Sequence, residues 1–221
     1  MKLLLIFFLF LKGHYTFADE FPNLFGCFCE GGLITGVVGK NDKILIDGVE
    51  IKTFENGEFI FAFGRKYKDK IKVKFNDQLK IFSVKKKKYK IERINGLPKK
   101  KVEPSKEDFK RIIKDREKIS LSKKVGEKKK LFDKKFILPV NGRLSGVFGS
   151  QRILNSKPRR PHYGIDIAQK KGAPVIAPSS GKVKLVDYGM FFTGNTIVVD
   201  HGLGLMLSLI HISEPTRPSS I

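Results

Sequence analysis

Between Gly31 and Ile94 the apolar residues come in short runs, several alternating with polar positions, and turn signals close each run. LITGVV (33–38), KILID (43–47), EFIFAF (58–63), IKVKF (71–75) and QLKIF (78–82) read as strands. Gly39–Asp42, Asp47-Gly48, Asn56-Gly57 and Asn76-Asp77 separate them, and Asn-Gly and Asp-Gly favour tight hairpins because they tolerate positive φ. A repeat of roughly ten residues predicts a small antiparallel β-sandwich-like domain within residues 19–96. Lys85 to Arg93 keeps only Tyr89 and Ile91 as large apolar residues, the pattern of an exposed edge strand blunted by charge. Residues 97–135 read as a basic, partly helical linker. There Ser105 and Asp108 form an N-cap signal ahead of Phe109, Ile112, Ile113 and Ile119, which predicts a helix of about 18 residues. Strand-like runs rich in glycine resume at Phe136, so the fold class is mainly β.

The start of the chain adds a location. Lys2, the apolar run Leu3–Leu11 and Thr16-Phe17-Ala18 make an export signal over residues 1–18, with cleavage before Asp19. A spanning helix needs about 20 apolar residues, so no stable membrane insertion is expected once the signal is removed. Export changes the meaning of the charge. Lys plus Arg number 44 against 22 Asp plus Glu, giving +22, and in a periplasmic or secreted protein this suits anionic envelope polymers rather than nucleic acid. A hydrophobic fraction of 41% with 19 Phe excludes wholesale disorder. Two cysteines exclude a disulfide framework and a Cys-rich zinc module. On a strand, Cys27 and Cys29 would share a face with Cα atoms near the upper limit for a disulfide, so they read as two small, half-buried hydrophobes.

Candidate chemistry begins at His162 and Asp166, an H-x-x-x-D pair of good zinc-ligand types. A straight strand would hold them roughly 13 Å apart, so sharing an ion requires a bend, which Gly164 can supply. The surrounding residues then point further. Gly142-Arg143-Leu144-Ser145-Gly146, Phe148-Gly149-Ser150-Gln151-Arg152, Pro161-His162-Tyr163-Gly164-Ile165-Asp166-Ile167-Ala168, Gly172-Ala173-Pro174-Val175 and Ala177–Val183 follow in order. Gly194-Asn195-Thr196 and Asp200-His201-Gly202 complete the series. Together they resemble the lysostaphin/LytM-type zinc metallopeptidases, the envelope enzymes of Gram-negative bacteria in particular. The resemblance implies that His162 and Asp166 bind Zn2+, that residues 136–206 form an antiparallel β-barrel-like peptidase domain with an open groove, and that the substrate is the peptide cross-link of peptidoglycan. Tyr163 and Asn195 are candidates for orienting substrate. His14, in the signal, and His201, in a polar turn after a strand, are assigned no ligand role.

The same resemblance marks what is missing. The family adds a strand ending in a groove histidine, then an H-x-H whose second His completes the zinc site, and this sequence contains no H-x-H. Leu207–Pro218 (LSLIHISEPTRP) is instead similar to the translation of a transposase sequencing adapter. Residues 207–221 are therefore expected to lie outside the natural fold, the domain to be incomplete with an exposed strand edge, and the printed chain to be inactive. His211 falls where the family places its catalytic groove His and is a position-equivalent only. The alternative reading is a non-catalytic LytM-like protein that binds peptidoglycan or activates an amidase. The residues of the N-terminal β domain name no partner.

Overall fold

A computed structural model describes residues 20–132 and 135–212. The signal-peptide expectation falls outside the described residues, as does the end of the adapter-like tail. The N-terminal part folds as the strand periodicity requires. β1 (Phe25–Gly26), β2 (Leu33–Val37), β3 (Ile44–Ile46), β4 (Val49–Glu50), β5 (Glu58–Ala62), β6 (Lys70–Phe75) and β7 (Gln78–Ser83) form two antiparallel sheets, ordered β1-β2-β5 and β4-β3-β6-β7. Along β6, Ile71, Val73 and Phe75 are buried while Lys70, Lys72 and Lys74 face water, so one sheet face is core and the other charged. Ile34 and Phe59 from the first sheet meet Ile44, Ile46 and Ile71 from the second in one apolar cluster. Each fully buried aliphatic or aromatic side chain contributes about 2 kcal/mol. Between β3 and β4, Asp47 and Gly48 adopt φ of 52° and 84°, the doubly positive geometry of a tight hairpin.

The cysteines depart from expectation: Cys27 and Cys29 form a disulfide. The segment is a turn rather than a strand, closed by the Cys29 N–H donating to the Cys27 carbonyl at 2.8 Å. That turn shortens the Cα–Cα distance to 5.2 Å, inside the range a disulfide spans. Cys29 is buried and Cys27 exposed, so they are not a matched half-buried pair either.

The basic segment after β7 is an exposed edge, as its composition suggests: it leads into a mostly exposed strand at the end of its sheet. β8 (Ile91–Ile94) pairs in parallel with a strand far along the chain, as described below. A short helix α1 (Lys99–Val102) precedes α2 (Lys106–Lys124). Ser105 and Asp108 close the capping box at the start of α2: the Ser105 Oγ accepts from the Asp108 N–H, and the Asp108 carboxylate accepts from the Ser105 N–H. The helix lies against the C-terminal strands. Ile112 is buried, Asp115 accepts from the Phe191 N–H at 2.8 Å, and Lys118 pairs with Asp187 at 2.5 Å.

The C-terminal part contains β9 (Arg143–Gly146), β10 (Gln151–Leu154), β11 (Lys157–Pro158), β12 (Asp166–Ala168), β13 (Lys182–Met190), β14 (Gly194–Asp200) and β15 (Met206–Leu209). β12 pairs with β9, β10 lies between β8 and β11, and β13-β14-β15 form an antiparallel sheet. Among the described residues no sheet closes into a barrel. β15, whose last three residues lie in the adapter-like stretch, pairs in register with β14 from Asp200↔Met206 to Ile197↔Leu209. No helix among the described residues is long and apolar enough to cross a membrane.

Candidate metal centre

His162 is fixed by its backbone. Its N–H donates to the Ser150 carbonyl at 2.9 Å, and its own carbonyl accepts from the Gly149 N–H at 2.7 Å. Gly149 has φ of +86° and lies against the Tyr89 ring, where a Cβ would overlap ring atoms, so only glycine fits. Arg65 Nε donates to the Gly149 carbonyl at 2.7 Å, and its guanidinium sits 4.7 Å from the Tyr89 ring centroid. The N-terminal domain therefore braces the loop that carries His162.

Asp166 opens β12, at a register irregularity opposite Gly146. The chain bends through Gly164, and His162 Nε2 comes to 3.2 Å from Asp166 Oδ1. The other carboxylate oxygen, Oδ2, accepts from Arg152 Nη2. The His162 side chain is 12% exposed and Asp166 43%, so the pair opens to solvent on the carboxylate side. His162 Nδ1 is buried without a hydrogen-bond partner.

These two donors fit a divalent metal. Two ligand atoms about 2.0–2.1 Å from a tetrahedral zinc lie about 3.3 Å from each other, close to the spacing of Nε2 and Oδ1. Without a metal the same spacing is an ordinary His–Asp contact. Among the described residues no group of three or more His, Cys, Asp and Glu could hold an ion.

The remaining candidates lie elsewhere. His211 has φ of +55°, donates its N–H to the Thr193 carbonyl at 2.8 Å and packs over Gly194 at the β13–β14 turn. Among the described residues it forms no metal-holding group with His162 and Asp166. His201 follows β14 at a turn, as the sequence suggests, but it is fully buried rather than facing solvent. Its Nδ1 lies 2.8 Å from the Ser180 carbonyl and its ring meets Phe136 edge-on at 4.9 Å, which makes it an interior tie between loops. Asn195 spends its amide oxygen on the Gly189 N–H. Tyr163 remains exposed at 66%, next to His162 in sequence and against Phe148. Arg152 was not foreseen. It meets Asp166 through a side-chain ion pair between β10 and β12, strands of different sheets, and no local spacing rule would have found it.

Residues 160–217 match Peptidase family M23. An uncharacterized metalloprotease of Haemophilus influenzae is 36% identical over 55 residues, a match covering 25% of this chain and 12% of that protein. The matched region thus spans a small part of that relative's length. A crystal structure of a peptidase M23 from Pseudomonas aeruginosa superposes with a TM-score of 0.58 at 26% identity, covering 84% of this chain and 74% of the other. Residues 160–217 are therefore a peptidase M23, LytM-type, domain. The candidate donors His162 and Asp166 lie inside it, whereas Arg152 and Glu92 lie before it.

Proposed function

We propose that this chain is part of a zinc metalloendopeptidase of the bacterial envelope that cleaves peptide cross-links of peptidoglycan. The observation that carries the reading is the approach of His162 Nε2 to Asp166 Oδ1 inside an M23 domain. Zinc held by this pair would supply Lewis-acid chemistry, polarising a scissile carbonyl and lowering the pKa of a water. The chain's own residues hold and orient. The Ser150 and Gly149 backbone fixes His162, Arg152 holds the outer oxygen of Asp166, and the exposed Tyr163 phenol offers a hydrogen bond to a substrate backbone. A net charge of +22 draws the protein to anionic wall polymers. An export signal at residues 1–18 supports a periplasmic or secreted site of action.

The two-donor set favours a second reading on one point: a groove that binds peptidoglycan without cutting it needs no third ligand. Purified sacculi separate the two. The printed chain is expected to bind zinc through His162 and Asp166 and to leave sacculi intact. The chain extended by a strand bearing H-x-H is expected to release soluble peptides, sensitive to chelator and lost in His162→Ala. An extended chain that pulls down sacculi without cutting them supports the binding reading. Cleavage that survives His162→Ala refutes the assigned site.

A further inference from the structure

Glu92 and Arg152 face each other across the parallel β8–β10 pair, at partner positions in the register. Arg152 Nε lies 3.5 Å from Glu92 Oε2, an ion-pair contact rather than a hydrogen bond, while its Nη2 donates to Asp166 Oδ2. The side chains of Arg152 and Glu92 are 26% and 23% exposed, so both are more enclosed than the carboxylate they serve. The strand pairing that sets this up joins residues about sixty positions apart, and further bonds at both ends reinforce it: Gln151 N–H to the Lys90 carbonyl at 2.8 Å and Asn155 N–H to the Ile94 carbonyl at 2.9 Å.

We propose that Arg152, held by Glu92 from β8, is a positioning residue that fixes the Asp166 carboxylate for metal binding, so that the segment joining the N-terminal domain to α1 forms part of the metal site. The inference rests on the reading of His162 and Asp166 as metal ligands. The geometry divides the carboxylate: Oδ1 faces His162 Nε2 and is the oxygen available to an ion, and Oδ2 is taken by the guanidinium. Arg152 therefore need not leave for a metal to enter. An unanchored, 43% exposed aspartate would sample several rotamers, and holding it in one removes that entropic cost from metal binding.

A cation beside a metal site also repels the metal, and the sign of the net effect has to be decided. Glu92 offsets the guanidinium charge, so the pair presents little net charge to an ion and its positioning effect dominates. This makes the charge-neutral double variant Glu92→Gln/Arg152→Gln the decisive one. It removes the anchor without changing the local net charge.

The test is a calorimetric titration of the full chain with Zn2+ alone, comparing wild type, His162→Ala, Glu92→Gln/Arg152→Gln and Arg152→Lys, with melting curves alongside and Co2+ absorption spectra as a report of ligand geometry. The double variant is expected to bind zinc ten- to a hundredfold more weakly, the range seen when groups that orient a metal's ligands are removed. Arg152→Lys keeps the charge and one donor, and is expected to recover part of the loss and the wild-type Co2+ spectrum. His162→Ala is expected to abolish binding. Wild-type or tighter affinity in the double variant, with His162→Ala still null, overturns the positioning role and leaves the metal site standing. Unchanged binding in His162→Ala overturns the site itself. Should the double variant not fold, Arg152→Lys decides: wild-type affinity together with an altered Co2+ spectrum, or a loss as large as that of His162→Ala, overturns the proposal.

Discussion

Gly146→Ala is a perturbation aimed at one side chain. Gly146 is buried in β9 opposite Asp166, and the three atoms nearest to an added Cβ all belong to the Asp166 side chain. The new carbon would stand 3.0 Å from Asp166 Cγ and closer still to Oδ2. Carbon atoms rest about 3.5 Å or more apart, so the carboxylate must move by roughly half an ångström or more. That equals the tolerance of about 0.5 Å within which a binding constellation keeps working. The fold should hardly notice. Gly146 lies outside the left-handed φ region, and alanine in a strand gains about 0.5–1 kcal/mol over glycine. Against this stands the loss of an Arg152–Asp166 pair that is partly exposed and worth about 0–1 kcal/mol. The expected outcome is a melting temperature within about 3 °C of wild type, with zinc affinity down at least tenfold, about 1.4 kcal/mol. Calorimetric zinc titration and a thermal melt on the same samples measure both. Undiminished zinc affinity would show that the carboxylate position does not matter to the site. A large drop in melting temperature would show that the glycine serves the sheet rather than the site.

Three further outcomes are expected. Ser105→Ala removes the side-chain half of the capping box and should destabilise the protein by about 1 kcal/mol, read by urea unfolding; an effect near zero would mean that α2 is held by its packing alone. Asp47 titrates with its pKa held low: burial pushes it up, but the Lys72 N–H, the Lys68 ammonium and the Tyr67 hydroxyl outweigh that, and Tyr67 in turn is pushed up to about 12, first by burial and then by Asp47. A carboxyl with a depressed folded pKa contributes stability above its unfolded pKa, about 3.9, and loses it as pH falls through the folded value. Asp47→Asn should therefore cost roughly 1–2 kcal/mol at neutral pH and show a shallower loss of stability below about pH 4 in acid titrations followed by circular dichroism; an equally steep loss would place the acid sensitivity elsewhere. Protein unfolded without reductant should show no free thiol to a thiol-reactive dye, since Cys27 and Cys29 are paired, and two reactive thiols would contradict the turn geometry.

Much of the local structure was legible in the residues because short-range physics decides it. Asp47-Gly48 accepts positive φ with little strain, so the hairpin follows from two letters. The alternation in IKVKF sets which face of β6 is core, and Ser105 with Asp108 marks the helix start through hydrogen bonds spanning three residues. His162 and Asp166 were recognisable as a donor pair because Gly164 between them permits the bend that the chain makes.

Tertiary structure decided what depends on distant partners. Whether Cys27 and Cys29 bond turned on a local turn tighter than a strand, set where Cys29 docks beside Lys85. The Lys-rich stretch around Ile91 is an exposed edge, as its composition suggests, but that β8 pairs with β10 is announced by no periodicity because its partner is far along the chain. His201 follows a strand in a Gly-rich turn, and only the folded loops around Ser180 and Phe136 enclose it. Arg152 reaches Asp166 for the same reason. Patterns of two to four residues record steric and hydrogen-bonding preferences within one element, whereas the second carboxylate oxygen of the candidate metal site is claimed across strands that meet only once the chain has closed.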